Sequence, residues 1–519
     1  MLLPMIHHRF LRLIGVIVWV MASSALSWGE GGAADPEERG EAVTGTTVII
    51  HGFQLSGTMP DWPFHMAEAV RVRAGEGRIF SYDPASGDLN DCGHPACGPQ
   101  GAGGETVIVF DWAADSAESG TGFSEAAAEA LVAGLVRWAG SDPPLAILDH
   151  VHLIGHSRGA VVSSETAERL LAAGLPAPEQ VTSLDPHDTG AFGLSEDRPE
   201  PEGLWDDLDV NDLHPDYRCG SPPGEPSGVC SWLGLGYHDN YWRDVDGWPC
   251  LFDPDGKTVP GGSDFDASGL GAFCHSDVHA WYHFTIDTAA ATHPVTGDPP
   301  GADWFDPAIT TCDTAARTWP LARTIDGYNV SRVGGSAVRC PDDPGAMQQV
   351  LFNFNLAEGL VNGDLEKQSS ASAFSGWQFH GGGGSGQLAD DGDDYLRLDA
   401  GQWRRHNRFL VPGGAFGVRF CRKIEAAGAR DLLTLILHQG AGSRMMYEED
   451  PVAASGWQCR TVALTEEERG LPSVLEIVVA DNGAPPSARI GVDDVGLVMG
   501  VFIDGFESGD TAEWSSVVP

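Results

Sequence analysis

The stretch "VHLIGHSRGAVVSS", residues 151 to 164, carries Ser157 inside a Gly-x-Ser-x-Gly pentad. Glycine supplies 67 of 519 residues, so the pentad alone says little and its chemistry must be argued from partners elsewhere. A serine hydroxyl attacks an acyl carbon when a base takes its proton, an acid orients the base, and amide N–H groups receive the oxyanion. Residues suited to each role follow in a workable order. "VTSLDPHDTG" offers Asp185 as acid, with Asp188 as the fallback, and "FCHSDVHAWYHF" offers His275, His279 and His283 as base. The oxyanion donors would be the backbone N–H of Arg158, next after the serine, and that of Phe53 in "TTVIIHGFQLSG".

His275 is the preferred base, because Ser276 and Asp277 suit a helix start and leave His275 in the loop just before it. The three histidines recur at i, i+4 and i+8, so they share one helix face. Three ligands on a single straight helix cannot surround an ion tetrahedrally, which argues against a metal site there. At least two of the three are then core or surface histidines without a role.

Elements able to position these groups are legible. β-branched runs occur at "TTVII" (46 to 50), "ETVIVFDW" (105 to 112), "HVHLIG" (150 to 155) and "QVTSLD" (180 to 185). Helical spacing separates them: Ser124 can cap a helix through "GFSEAAAEALVAGLVRWAG", and another follows Ser157 through "AVVSSETAERLLAAG". Strands alternating with helices imply an α/β fold with a mostly parallel sheet. Gly155 and Gly159 allow a sharp strand-to-helix turn around Ser157, and Pro186 ends the strand that delivers Asp185. From Asp185 to about Cys274 the pattern dissolves into Pro, Gly, Asp, Trp and Cys, which reads as an ordered, irregular cap whose Trp-rich part, from about Leu204 to Phe252, would shape the substrate pocket. Beyond residue 355, turn-rich pieces such as "YLRLDA", "GVRFCRKI" and "SVLEIVVA" imply an all-β sandwich, with Trp377 and Trp403 as either core residues or a sugar platform.

Composition narrows the setting. Arg9 and Arg12 precede an apolar run to about Val20, followed by small residues, the pattern of a secretory signal peptide. No later stretch suits a permanent membrane span. Export makes the ten cysteines readable as disulfides, and proximity pairs Cys92 with Cys97, Cys219 with Cys230, Cys250 with Cys274, Cys312 with Cys340, and Cys421 with Cys459. The formal charge of −44 repels nucleic acid and anionic lipid. Acidic clusters such as "ADDGDDY" (389 to 395) leave room for a structural calcium ion in the C-terminal region, although full calcium-loop spacing is missing.

Taken in order, "VIIHGF", "VIVFDW", "HLIGHSRGA", "TSLDP" and "CHSDVHAWY" resemble the signature stretches of the pancreatic and lipoprotein lipase superfamily of α/β-hydrolases, over roughly residues 44 to 290. The resemblance implies Ser157 as nucleophile, Asp185 as acid, His275 as base, and Phe53 and Arg158 as the oxyanion hole. It also implies a cysteine near the histidine that closes a lid disulfide, a place Cys274 fits. The chain departs from that pattern at Arg158, where the family has Leu, and at His187, where it has Ala. Residues 356 to 500 resemble jelly-roll modules of secreted bacterial enzymes that open with "NGDLE" and close with "VDDVGL", often carbohydrate-binding or calcium-bearing. The expected organisation is a signal peptide (1–27), a linker (28–43), an α/β-hydrolase domain (44–355, cap about 190–273), a β-sandwich (356–500) and a tail (501–519). The expected function is a secreted, extracellular or periplasmic carboxylic ester hydrolase with no required cofactor, acting on a lipid or polymer-linked ester. Alternatives are a depolymerase anchored on insoluble polymer or carbohydrate by the sandwich, and a catalytically inert binding protein.

Overall fold

The computed structural model describes residues 43–101, 103–118, 122–140, 147–186, 229–232, 234–244, 250, 256–259, 261–270, 273–310, 319–339, 360, 368–370, 373–374, 376–378, 387–390, 394–428, 430–483 and 485–499. The signal peptide, the linker up to residue 42, the tail, His187, Asp188 and the "NGDLE" stretch lie outside them.

Eight strands build the first sheet: β1 (Thr46–Ile50), β2 (Gly77–Asp83), β3 (Asp88–Asp91), β4 (Glu105–Phe110), β5 (Val151–His156), β6 (Gln180–Leu184), β7 (His238–Trp242) and β8 (Ser263–Asp266). Their order is β3-β2-β4-β1-β5-β6-β7-β8, parallel except for β3, which returns antiparallel along β2. Helices α1 (Trp62–Arg73), α2 (Ala113–Ser116), α3 (Phe123–Ala139), α4 (Arg158–Ala172) and α5 (His275–Ile286) accompany the sheet. Alternation along each strand divides its side chains between two cores. Val48, Ile50, Ile108, Phe110 and Leu153 pack with Leu131 and Leu135 of α3 and Val162 and Leu170 of α4. Ile49, Val107, Val109 and Ile154 face the other way, against Met66 and Val70 of α1 and Val278 and Trp281 of α5. Burial on both faces explains the apolar runs VII of β1 and VIVF of β4.

Three expectations change. Gly122, in the left-handed region at φ 78°, precedes α3, and Ser124 sits buried inside the first turn rather than capping it. β7 and β8 lie within the stretch read as an irregular cap; their "HDNYW" and "SDFD" are too polar to signal sheet strands, yet both extend the parallel sheet. Trp232, expected to shape a pocket, is a core residue, 1 % exposed, and its Nε1 donates to the Ser164 carbonyl at 2.8 Å.

Thirteen further strands form two antiparallel sheets: β9 (Gln368–Ser370), β10 (Ala373–Phe374), β11 (Trp377–Gln378), β12 (Gln387–Asp390), β13 (Asp394–Asp399), β14 (Trp403–His406), β15 (Phe409–Leu410), β16 (Ala415–Ala426), β17 (Leu433–Gln439), β18 (Gly442–Glu449), β19 (Ser455–Ala463), β20 (Pro472–Val479) and β21 (Arg489–Met499). One sheet runs β18-β17-β20-β14-β11-β10-β9, with β15 also on β20; the other runs β12-β13-β21-β16-β19. Leu396, Val418, Phe420, Ile490 and Val492 of the second face Trp377, Leu433, Leu435, Leu475 and Ile477 of the first in one core, a β-sandwich. Trp377 is thereby a core residue and not a sugar platform. β15 and β20 also contact α3, and Asn407 Nδ2 donates to the Ala126 carbonyl at 2.7 Å. Covered by the sheet on one side and the sandwich on the other, α3 has 14 buried residues among its 17.

Disulfides join Cys92–Cys97, Cys250–Cys274 and Cys421–Cys459. Cys219, Cys312 and Cys340 lie outside the described residues, and with them the other two pairings. No helix among the described residues is long and apolar enough to cross a membrane.

Candidate active site

Ser157 stands between the end of β5 and the start of α4 with φ 57° and ψ −131°, a backbone region that an L-residue enters only when its surroundings hold it there. Those surroundings are visible. The Ser157 N–H donates to the Leu184 carbonyl of the neighbouring strand at 2.9 Å. A Cβ at Gly155 would lie 2.2 Å from the Gly159 carbonyl oxygen, and one at Gly159 would lie 2.4 Å from the Ile50 oxygen. The pentad's glycines are thus needed for α4 to begin tightly against β5 and β1.

Leu184 is followed by Asp185, also at positive φ, 48°, whose N–H donates to the Tyr241 carbonyl at 2.8 Å. Its carboxylate is fully buried and accepts from His275 Nδ1 through Oδ2 at 2.6 Å. Because a carboxylate only accepts, this bond puts the proton on Nδ1 and leaves Nε2 as the basic nitrogen. His275 is the first residue of α5, not a loop residue: Cys274 is the N-cap, and Asp277 closes a capping box by accepting from the Cys274 N–H at 2.7 Å. The Cys250–Cys274 disulfide anchors this start.

His156, which sequence reasoning passed over, directly precedes Ser157 and packs against His275. Its ring lies 4.5 Å from that of His275, and its Nε2 donates to the His275 carbonyl at 3.1 Å. Burial pushes its pKa down to about 3, so it stays a neutral donor. His279 stacks on Trp62 at 4.3 Å, and His283 is buried against Phe284 and His293; neither contacts Asp185 through any observed hydrogen bond.

The residues expected to form the oxyanion side follow β1. His51, neutral because burial lowers its pKa to about 4, donates from Nδ1 to the Gly52 carbonyl at 2.7 Å. In a trans peptide the C=O and the next N–H point oppositely, so this bond fixes the direction of the Phe53 N–H. Trp112 Nε1 holds the His51 carbonyl at 2.8 Å. Gly52 lies so near Ser157 that a Cβ there would stand 2.5 Å from Ser157 Cβ and 3.0 Å from Oγ. Arg158 is the first residue of α4, where backbone N–H groups have no intrahelical acceptor. Its side chain turns away: NH1 donates to the Ser116 and Glu118 carbonyls at 2.9 and 2.6 Å, and the guanidinium lies over Trp112.

Two further residues were not legible in the sequence. The Arg243 N–H donates to Asp185 Oδ1 at 2.9 Å, and its Nε stands 3.2 Å from Oδ2. Gly256 presses on the same carboxylate, since a Cβ there would be 1.9 Å from Oδ1.

Among the described residues, one group could gather ligand atoms for a metal, Cys421, Cys459 and Asp494, but its two sulfurs are joined in a disulfide. Residues 391–393 of the acidic cluster considered for calcium lie outside the described residues.

No protein-family profile matches the chain, and no curated protein matches it. Similar solved structures include TmCBM61 in complex with β-1,4-galactotriose (16 % identity, 28 % of this chain, 99 % of that one, TM-score 0.21). Others are the K2 cleaved adhesin domain of Lys-gingipain (20 %, 26 %, 93 %, TM-score 0.19) and a family 29 carbohydrate-binding module (13 %, 25 %, 84 %, TM-score 0.18). Likenesses this distant assign neither fold family nor ligand.

Proposed function

We propose that the chain is an exported serine hydrolase with an α/β-hydrolase fold, similar to the pancreatic and lipoprotein lipase superfamily, that cleaves carboxylic esters through an acyl-enzyme. The observation carrying this reading is the Ser157 backbone, a strained strand-to-helix elbow bonded to the residue before an Asp185–His275 pair. His275 Nε2 takes the Ser157 proton as Oγ attacks the ester carbon. The N–H groups of Phe53 and Arg158 receive the developing oxyanion. Collapse transfers the proton from His275 to the departing alcohol, and a water deprotonated by the same nitrogen then releases the acid. These steps call for no cofactor. The disulfides support an oxidising compartment, extracellular or periplasmic.

The test is hydrolysis of p-nitrophenyl esters of graded acyl length, together with fluorophosphonate labelling. Ser157→Ala should lose labelling and at least ~10⁴ of kcat. Equal hydrolysis by wild type and variant would end the assignment, and an unlabelled, inactive wild type would favour an inert binding protein.

A second reading adds a polymer-binding role for the sandwich, with ester-bearing polymer as substrate. Its support is Trp457, 41 % exposed, with its ring edge-on to Tyr395 at 5.2 Å and Lys423 over both rings, an apolar platform flanked by polar groups. Trp457→Ala should weaken pull-down on insoluble polysaccharide or polyester while leaving soluble ester hydrolysis unchanged; unaltered retention on every polymer would remove this reading.

A further inference from the structure

Arg243 follows β7 and is fully buried beside Asp185. Its Nε approaches the same oxygen, Oδ2, that accepts from His275. The chain closes over this contact: the Gly256 N–H donates to the Arg243 carbonyl at 2.7 Å, and the Lys257 N–H to the Pro186 carbonyl at 3.1 Å. A carboxylate this dry needs a counter-charge, and a guanidinium supplies one permanently, whereas the His275 imidazolium exists for only part of a turnover. Sharing Oδ2 also cancels part of the negative potential that would otherwise favour a charged His275. Among the described residues, Lys257 of the closing segment adds a second cation near Asp185 and Pro186, and the histidines and the acid on β5 and α5 add no competing charge. His156 from β5 and His279 from α5 are both held neutral by burial, and Asp277 of α5 is committed to the Cys274 N–H.

We propose that Arg243 is a positioning residue that acts through Asp185, fixing the carboxylate and setting the basicity of His275 below what an aspartate without a buried cation would give. This rests on the hydrolase reading above. Arg243→Gln removes the cation, so the pair should hold its proton more tightly, whichever of the two groups carries it. Arg243→Lys keeps the charge and should restore wild-type behaviour.

The experiment follows the His275 ring by NMR in full-length protein with ¹³C-labelled histidine, assigned with His275→Asn, beside kcat/KM against pH on p-nitrophenyl butyrate. The expected result is a His275 midpoint and an acid limb about one pH unit higher in Arg243→Gln, with Arg243→Lys near wild type. A folded Arg243→Gln with an unmoved midpoint and activity lowered evenly at all pH values would overturn the proposal. If that variant does not fold, the wild-type midpoint decides: at or below about 7 it supports the proposal, above it the proposal fails. The NMR titration needs no turnover, so an inactive wild type would sink the hydrolase reading and still leave the Arg243 coupling measured.

Discussion

Gly52→Ala isolates the geometry of the oxyanion side. The added methyl would sit 2.5 Å from Ser157 Cβ, 3.0 Å from Oγ and 2.8 Å from the His156 carbonyl oxygen. Carbon pairs rest at about 3.5–4.0 Å, so the 52–53 loop must retreat by roughly 1 Å. Neither Ser157 nor the His156 carbonyl can yield instead, since the elbow is bonded to β6 and backed by α4. In the proposed mechanism a retreat of ~1 Å takes the Phe53 N–H out of reach of the oxyanion, and losing one such donor costs about 3–4 kcal/mol, or 10²–10³ in kcat. Gly52 is not in the left-handed region, so the effect is steric and not a matter of backbone strain. Gly93→Ala is the control, because a Cβ there meets nothing within 4 Å. The assay is kcat and KM on p-nitrophenyl butyrate with melting curves for both variants. A folded Gly52→Ala enzyme whose kcat stays within a few-fold of wild type would refute the oxyanion assignment and the role of His51 in aiming it.

Acid stability follows from the buried histidines. Burial depresses His152, His156, His238 and His283 to about 3 and His51 and His293 to about 4, so the unfolded chain binds more protons below pH ~6.5 and stability falls as pH drops from there. Glu105, raised by burial to about 7, and Asp115 and Asp239, raised to about 6, act oppositely between pH ~4 and their folded values, but they are outnumbered. Urea midpoints should therefore decline from pH 7.5 to 5, and a flat or rising series contradicts this. Removing residues 356–519 should strip the sandwich from α3 and give an aggregating or low-melting product, because α3 is apolar around most of its circumference; a truncated chain that melts like the full protein would show the contact to be dispensable. Point variants such as Trp457→Ala are accordingly the better probe of polymer binding.

Legibility in the sequence divides along a physical line. β1, β4 and β5 announce themselves because burial on both faces favours runs such as VII, VIVF and the pair Leu153 and Ile154, whereas β6, with Gln180, Thr182 and Ser183 buried, is marked instead by Pro186 just after it. β7 and β8 do not announce themselves: His238, Asp239 and Asn240 are buried polar residues hydrogen-bonded to Ser183, Gln180 and Asp264, partners that no local pattern displays. The same limit governs the site. Ser157 and Asp185 are marked by the turns that carry them and His275 by the helix start around it, whereas Arg243 and Gly256 matter only through contact with a carboxylate more than 50 residues away in sequence. His156 was hidden inside the motif itself, where attention falls on the serine.

Among the described residues six non-glycines have positive φ, and two of them are Ser157 and Asp185. Such conformations cost of order 1–3 kcal/mol each and persist only where neighbours over-determine them. Three independent restraints act on Ser157: the bond to the Leu184 carbonyl, the Gly155–Gly159 approach and the packing of Gly52. Asp185 is held by the Tyr241 carbonyl, the Arg243 N–H and the Gly256 strap. A serine placed there only to fill space would gain nothing from this expenditure of backbone energy, since glycine could take the same turn without strain. The proposed mechanism makes the strain intelligible, because it requires the hydroxyl and carboxylate to stand at fixed points above the ends of β5 and β6, a requirement of chemistry and not of folding.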